Sequence, residues 1–266
     1  PPARPGPAVG SPPAGRRAHL DQLVRGLWPG RAATRAAYRQ ALAQRNAMLG
    51  RVRAGIVSRE QLTTWDTAMA GPALALRDDR QAAVDTVTGR FAELAAALGL
   101  AGEVELRYRP RTRAATPAEF VAELLERVDG DLDRGFTGHG PHRDDIALLR
   151  DGRELRAYGS QGEQRLALLA LLLAEREALA ELRGRPPLLL LDDVMSELDA
   201  TRRAFLVQRV RSVGQCLITT TDLAHVPGAG DPDVMRIEIR DGMPWQGDEP
   251  GAITVTDSRA SSPAER

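Results

Sequence analysis

The spacing of hydrophobic positions changes character about halfway along the chain. Over residues 32–53 apolar side chains recur at helical spacing, with Ala41, Leu42, Met48 and Leu49 on one side and Arg on the other, which predicts an amphipathic helix. A second helical region is predicted over residues 59–98. It is interrupted at Gly71-Pro72, where proline removes a backbone donor, and closed by Gly99. Residues 104–108, VELRY, alternate and predict a strand stopped by Pro110. Thr116-Pro117-Ala118-Glu119 has the residues of a helix start: Thr for the N-cap, Pro for the first turn and Glu to close a capping box. That helix is predicted to end near Gly130 or Gly135.

Beyond this point strands and helices alternate. Residues 146–149 and 155–158 flank Asp151-Gly152, a hairpin signal. Residues 161–183, rich in Leu and Ala, predict a helix, and Pro187 opens PLLLLDD, whose continuous Leu run predicts a fully buried strand. A helix is predicted over 200–211, a further buried strand over 216–220 and a third over 235–240. The division that follows is a proline-rich disordered start at 1–15, a mostly helical arm at 16–135, an α/β layer at 136–245 and a frayed tail at 246–266.

Composition narrows this picture. A chain of 266 residues with 42% hydrophobic and 27% charged residues can bury a sizeable core, which excludes disorder throughout. Aromatic residues are only 4%, so that core must be Leu, Ala and Val. No lysine occurs, which excludes any chemistry that needs a lysine in this chain. The formal charge of zero hides an asymmetry: residues 1–59 carry eleven Arg and one acid, Asp21, whereas residues 111–266 carry 20 Arg and 27 acids. A basic block of this kind suits either a polyanion partner or a solvated helix face. The single cysteine, Cys216, excludes a disulfide framework and a thiolate metal cluster, and its apolar surroundings predict a buried structural thiol. No apolar run reaches membrane-span length and no signal peptide is visible, so the expected location is cytoplasmic. The opening at Pro1 reads as the C-terminal part of something longer.

Four segments carry candidate chemistry. The strand PLLLLDDVMSELD, residues 187–199, ends in Asp192 and Asp193, and ligands bind beyond the carboxyl ends of such strands. One carboxylate can hold Mg2+ and its neighbour can orient an attacking water; the alternative is a cap on the following helix. In YGSQGEQR, residues 158–165, small residues precede a helix, so Ser160 and the first backbone N–H groups suit a phosphate, although Ser160 with Glu163 is also a capping box. GHGPHRDDI, residues 138–146, crowds His139, His142, Arg143, Asp144 and Asp145 on a glycine-rich turn, which suits a structural turn or a basic contact better than a metal cage. ITTTD, residues 218–222, puts hydroxyls and an acid at the end of another strand, as a phosphate sensor or a plain strand cap.

In order, GPHRDD, a hairpin, SQGEQR opening a helix, LLLLDDVMSELD and a strand ending in ITTT closely resemble the RecF family, within the SMC-like branch of ABC-type ATPases. RRAHLD at 16–21, QRNAML at 44–49, TTWD at 63–66 and RYRP at 107–110 resemble that family's helical arm, so the resemblance spans about residues 15–240. It implies an α/β fold, the C-terminal part of an ABC/SMC-like ATPase head with an inserted mostly helical arm domain. SQGEQR resembles the ABC signature, which implies that Ser160, Gln161, Gly162 and Gln164 contact ATP held by a partner subunit. LLLLDD resembles Walker B, with Asp192 on Mg2+ and Asp193 in place of the catalytic Glu. SELD resembles the D-loop, with Asp199 crossing a dimer interface, and Thr221 stands where many ABC proteins have a switch His. The resemblance further implies an ATP-dependent homodimer clamped on double-stranded DNA at junctions with single-stranded DNA. RecO and RecR act with it to promote loading of RecA in recombinational repair and the SOS response. It gives the basic block a role in DNA backbone contact, with Arg31, Arg35, Arg39, Arg51 and Arg53 as candidates.

The chain departs from the family in one respect. The expected P-loop, GxxxxGK[ST], needs a lysine that these residues do not contain, so the chain alone is not expected to hydrolyse ATP. Two other readings stay open, a nucleotide-free adaptor derived from RecF and another SMC-like ATPase. Sustained heptads would favour the latter, and none occur.

Overall fold

The computed structural model describes residues 12–240 and 243–245. The chain enters through α1 (Pro13–Leu27), whose first helical position is a proline with its φ already suited to a helix. Helix therefore begins inside the segment expected to be disordered up to residue 15, and residues 1–11 lie outside the described residues. Helix α2 (Ala32–Arg53) follows with the predicted bounds, and α3 (Leu62–Ala97) returns alongside it.

Helix α3 corrects the predicted break at Gly71-Pro72, because it runs straight through Pro72. An interior proline costs about 3 kcal/mol. Met69, Ala70, Ala73, Leu74 and Leu76, all buried on either side, pack against Tyr38, Ala41, Phe120 and Leu124, and burying even two or three large side chains outweighs that cost at about 1.5–3 kcal/mol each. The helix ends as predicted, with Gly99 at φ 80° and the Leu100 N–H bonded to the Ala95 carbonyl.

Strand β1 (Val104–Arg109) pairs antiparallel with β2 (Asp145–Arg150), and β2 pairs with β3 (Arg153–Glu154) across the Asp151-Gly152 turn. The hairpin is present but its second strand is short: residues 155–158, expected as a strand, form the helical turn α6 (Leu155–Tyr158). Between β1 and β2 lie α4 (Pro117–Glu126), capped by Thr116, and α5 (Val128–Arg134), closed by Gly135. Helix α7 (Gln161–Arg183) leads to β4 (Leu189–Asp192). Next come α8 (Ala200–Ser212) and β5 (Cys216–Thr219), which lies parallel to β4 with Asp192 opposite Thr219.

Three predicted buried strands are corrected by this topology. In β4 alternate residues are covered: Leu189 and Leu191 face the core, whereas Leu190 is 54% exposed, as is Leu217 of β5 at 52%. A Leu run read as buried on both faces is here covered on one, because among the described residues the β4–β5 sheet has two strands. Residues 235–240 do not join that sheet. Only β6 (Glu238–Arg240) is strand, paired with β7 (Met243–Trp245) in a hairpin, and Met235, Ile237 and Ile239 are exposed. The tail expected to fray, 246–266, lies outside the described residues.

The main core runs from Leu20 and Val24 through Val87, Phe91 and Leu98 to Ala167, Ala170, Leu206 and Val210, so α1, α3, α7 and α8 share it with β1 and β4. Arg176, on α7, donates to the carbonyls of Pro187, Val210 and Gln215, which fixes both chain entries to the parallel strands. Among the described residues no helix is long and apolar enough to cross a membrane.

Candidate functional site

Strands β4 and β5 end side by side, and their last residues are locked together. The Thr219 hydroxyl donates to Asp192 Oδ1 at 2.5 Å and accepts from the Asp193 N–H at 3.1 Å. Asp193 sits at φ 49°, ψ 26°, a left-handed conformation that Asp tolerates better than most side chains and that turns the chain out of the strand. The turn is held from behind. Ser196 Oγ donates to the Asp193 carbonyl at 2.9 Å, Met195 is fully buried, and Arg203 donates to the Met195 carbonyl at 2.8 Å. Both acids are exposed at the rim of the parallel strands, and neither side chain caps a helix: Asp192 accepts from Thr219, and Asp193 precedes the 3-10 turn Val194–Glu197 without a side-chain cap bond. The cap of α8 is Asp199, which accepts from the Arg202 N–H at 2.9 Å and pairs with the Arg202 side chain at 3.0 Å.

Ser160 caps α7 in a complete capping box: its Oγ accepts from the Glu163 N–H at 3.3 Å, and Glu163 accepts from the Ser160 N–H at 2.8 Å. The Arg150 guanidinium, together with that N–H, holds the Glu163 carboxyl below its ordinary range. Gln164 donates to the Gly159 carbonyl at 2.9 Å, which leaves Gln161 exposed and Gly162 with nothing within 4 Å of where a Cβ would stand. A ligand can approach the backbone closely there.

The two halves of the predicted site are joined by a pair that sequence reasoning missed. Arg165, near the start of α7, meets Glu197, the last residue of the 3-10 turn after β4, at 2.5 Å. Both residues lie inside quoted motifs, SQGEQR and SELD, yet nothing in either motif alone says that they meet. Thr219 likewise stands inside ITTTD, where nothing in the sequence singles it out. Thr221 lies two residues past β5 in a turn organised by its neighbours, with Thr220 Oγ1 accepting from the Asp222 N–H at 3.2 Å.

The donor set suits Mg2+ with a nucleotide. Asp192 engages Thr219 through Oδ1, and Oδ2 makes no bond among the described residues. One carboxylate with phosphate oxygens and water is the usual way this ion is bound. Among the described residues no group of three or more His, Cys, Asp and Glu stands ready to hold a metal by protein alone.

The GPHRDD turn is a structural hub. Asp144 is fully buried and accepts from the Tyr108 hydroxyl, from Arg80 at 3.2 Å and from the Arg111 N–H at 2.8 Å, while Asp145 is gripped by both edges of Arg16. His142 accepts from the Tyr38 hydroxyl at Nδ1, 2.7 Å, and donates from Nε2 to the Thr137 carbonyl at 2.8 Å. His139 pairs with Glu123 at 2.7 Å.

The arginines of the basic block divide. Arg31 stacks on the Trp28 ring at 4.1 Å and pairs with Asp79 at 3.1 Å, and Arg35 pairs with the buried Asp21 at 2.8 Å. Arg39, Arg51 and Arg53 are exposed and meet no carboxylate within ion-pair distance among the described residues.

No family model matches the chain. Among curated proteins it is similar to the DNA replication and repair protein RecF of Anaeromyxobacter sp. (strain Fw109-5), 38% identical over 241 residues, which cover 87% of this chain and 64% of that protein. It is 35% identical over 243 residues to the RecF of Myxococcus xanthus (strain DK1622), covering 87% of this chain and 63% of the relative. The chain thus spans somewhat less than two thirds of the length of these relatives. Among solved structures, the recombination mediator protein RecF with ATP superposes with a TM-score of 0.76 at 25% identity, over 89% of this chain and 64% of that one. Fold and sequence agree over nearly the same extent: the chain has an α/β ATPase-head fold with its helical arm and is similar over 87% of its length to proteins of the RecF family.

Proposed function

We propose that this chain is part of an ATP-dependent clamp of the RecF type that binds duplex DNA beside single-stranded gaps and, with RecO and RecR, promotes RecA loading in recombinational repair. The observation that carries the reading is the rim at the ends of β4 and β5. Asp192, Asp193 and Thr219 are bonded to one another there, and Arg165–Glu197 ties the rim to the Ser160 turn.

ATP with Mg2+ supplies a cleavable phosphoanhydride and the charge that draws two subunits together. The chain's own residues then divide the work. Asp192 would hold the metal through Oδ2 while Thr219 holds its other oxygen, and Asp193, on the adjacent turn, would orient a water. Ser160 and the N–H groups at Gln161 and Gly162 face phosphate held by a partner subunit, Gln164 fixes the turn through Gly159, and Asp199 reaches the dimer interface. Thr221 occupies the switch position with a hydroxyl, which is no general base at neutral pH, so turnover in the complete protein is slow.

These residues contain no lysine for a P-loop. The purified chain therefore binds duplex DNA in a salt-sensitive, sequence-independent manner but does not turn over ATP by itself. Steady phosphate release from this chain, lost on Asp193→Asn, would overturn the assignment of the cradle to other residues. Failure to bind duplex DNA at low salt would overturn the DNA reading.

A further inference from the structure

Three arginines meet at the GPHRDD turn, and among the described residues none of them forms an ion pair with an acid. Arg17 of α1 donates from Nη1 to the Asp144 carbonyl at 2.9 Å, and Arg111, just past β1, donates from Nε to the Arg143 carbonyl at 3.3 Å. Arg143 lies over the Phe136 ring at 5.1 Å. The acids of the same turn are engaged elsewhere, Asp145 with Arg16 and Asp144 with Tyr108 and Arg80. Among the described residues no carboxylate stands within ion-pair distance of Arg17, Arg111 or Arg143.

This arrangement fixes cations without cancelling them. A guanidinium has five donors. Arg17 and Arg111 each use one on a backbone carbonyl, which positions the group and leaves the other nitrogens without a bond among the described residues. The Arg17 guanidinium is held below its ordinary range by burial first and then by the charge of Arg80, with Asp145 and Asp144 opposing the fall and Arg143 adding to it. An arriving anion opposes the same fall. Arg111 and Arg143 are exposed, which suits a polymer laid across the surface better than a small molecule in a cleft.

We infer that Arg17, Arg111 and Arg143 form a phosphodiester-binding site on this chain, in addition to the arm arginines, at which the GPHRDD turn grips the backbone of a nucleic acid. The inference rests on the DNA-binding reading above and adds a location to it.

The test is binding of a fluorescent duplex to the chain by anisotropy, from about 50 to about 200 mM salt, for the parent and the Arg111→Gln/Arg143→Gln double variant. Removing one arginine–phosphate pair lowers the slope of log K against log salt by about 0.9, so the double variant is expected to be shallower by about 1.8 and at least about tenfold weaker at the low-salt end. The Arg111→Lys/Arg143→Lys variant keeps the charge and recovers most of the slope. Should the double variant not fold, as judged by circular dichroism, Arg143→Gln alone, whose side chain lies over the Phe136 ring and makes no hydrogen bond or ion pair among the described residues, is expected to shift the slope by about 0.9. A parent that binds DNA and a folded variant with an unchanged slope would overturn this site and leave the family reading intact. A parent that binds no DNA would overturn both. Loss of polyglutamate binding in the variant with DNA binding unchanged would also overturn the site, in favour of an acidic protein surface.

Discussion

Arg45 and Asp131 stand 86 positions apart in sequence and meet at 2.7 Å, with neither side chain exposed to solvent. Arg45 also holds Asp66 at 2.5 Å and the Thr137 hydroxyl at 2.8 Å, so one guanidinium joins α2, α3, α5 and the segment leading to the GPHRDD turn. Removing one partner of a buried ion pair costs about 3–5 kcal/mol, because the remaining charge is stranded. Arg45→Met is expected to destabilise the chain by about that amount in urea titration. The loss should depend on pH. Burial already pushes the Asp66 carboxyl up, against the pull of Arg45. A carboxyl raised in the folded state stabilises below its unfolded pKa, and that contribution is lost as pH rises through the folded one. Without Arg45 the rise grows, so the variant should be weaker at about pH 8 than at about pH 5. Equal losses at both would show that the acids are not what the variant strands.

His142 supplies a second pH dependence of opposite sign. It is neutral in the fold, with one ring nitrogen donating to Thr137 and the other accepting from Tyr38. Burial lowers its pKa from 6.5 to about 4, with Arg143 and Arg17 adding to the fall and the Thr137 bond opposing it. A folded pKa below the unfolded one gives stability that is present above 6.5 and lost as pH falls toward about 4. Melting of the parent should therefore drop through this window more steeply than melting of His142→Gln. Parallel curves would mean that the imidazole is not buried neutral.

At the signature-like turn the structural role of Ser160 can be separated from a role toward phosphate. Ser160→Ala removes the acceptor that caps α7 and should cost about 1 kcal/mol in urea titration, whereas Ser160→Asp keeps the cap. In the complete protein Ser160→Asp should still abolish ATP-dependent dimerisation, because it sets a negative charge against phosphate. Retained dimerisation would reduce Ser160 to a cap.

Helix α3 contains two residues that its fold does not require. Gly71 has nothing within 4 Å of an added Cβ, and Pro72 lacks the N–H that would reach back one turn. Gly71→Ala should stabilise by about 0.5–1 kcal/mol and Pro72→Ala by about 1–3 kcal/mol, read as higher denaturation midpoints. A lower midpoint for Pro72→Ala would mean that the helix is built around a bend at this residue.

The same helix marks where sequence stops being informative. Gly71-Pro72 is a sound local signal for a break, but Leu74, Phe120 and Tyr38 override it, and they are brought together only by the tertiary fold. Local signals held where nothing distant competed: α2 and α7 have the bounds their patterns predict, Gly99 ends α3, and Thr116 caps α4. The β4 Leu run misled for a related reason. Composition says that four leucines seek cover, and only the sheet says which face receives it. At the rim, residue types pointed to Asp192 and Asp193. Their partners, Thr219 for one and Arg165–Glu197 for the loop, join segments 27 or more positions apart and leave no trace in local pattern.

Helix α3 is also a mechanical element. Its 36 residues make a rod about 54 Å long that enters the arm's core at one end and the main core at the other. At its foot the Leu98 carbonyl is held by Arg202 at 2.7 Å, and Arg202 is the side chain paired with Asp199. Tilting such a lever at the arm would displace its foot, so on the proposed DNA reading a load on the arm would reach Asp199 through the single side chain of Arg202.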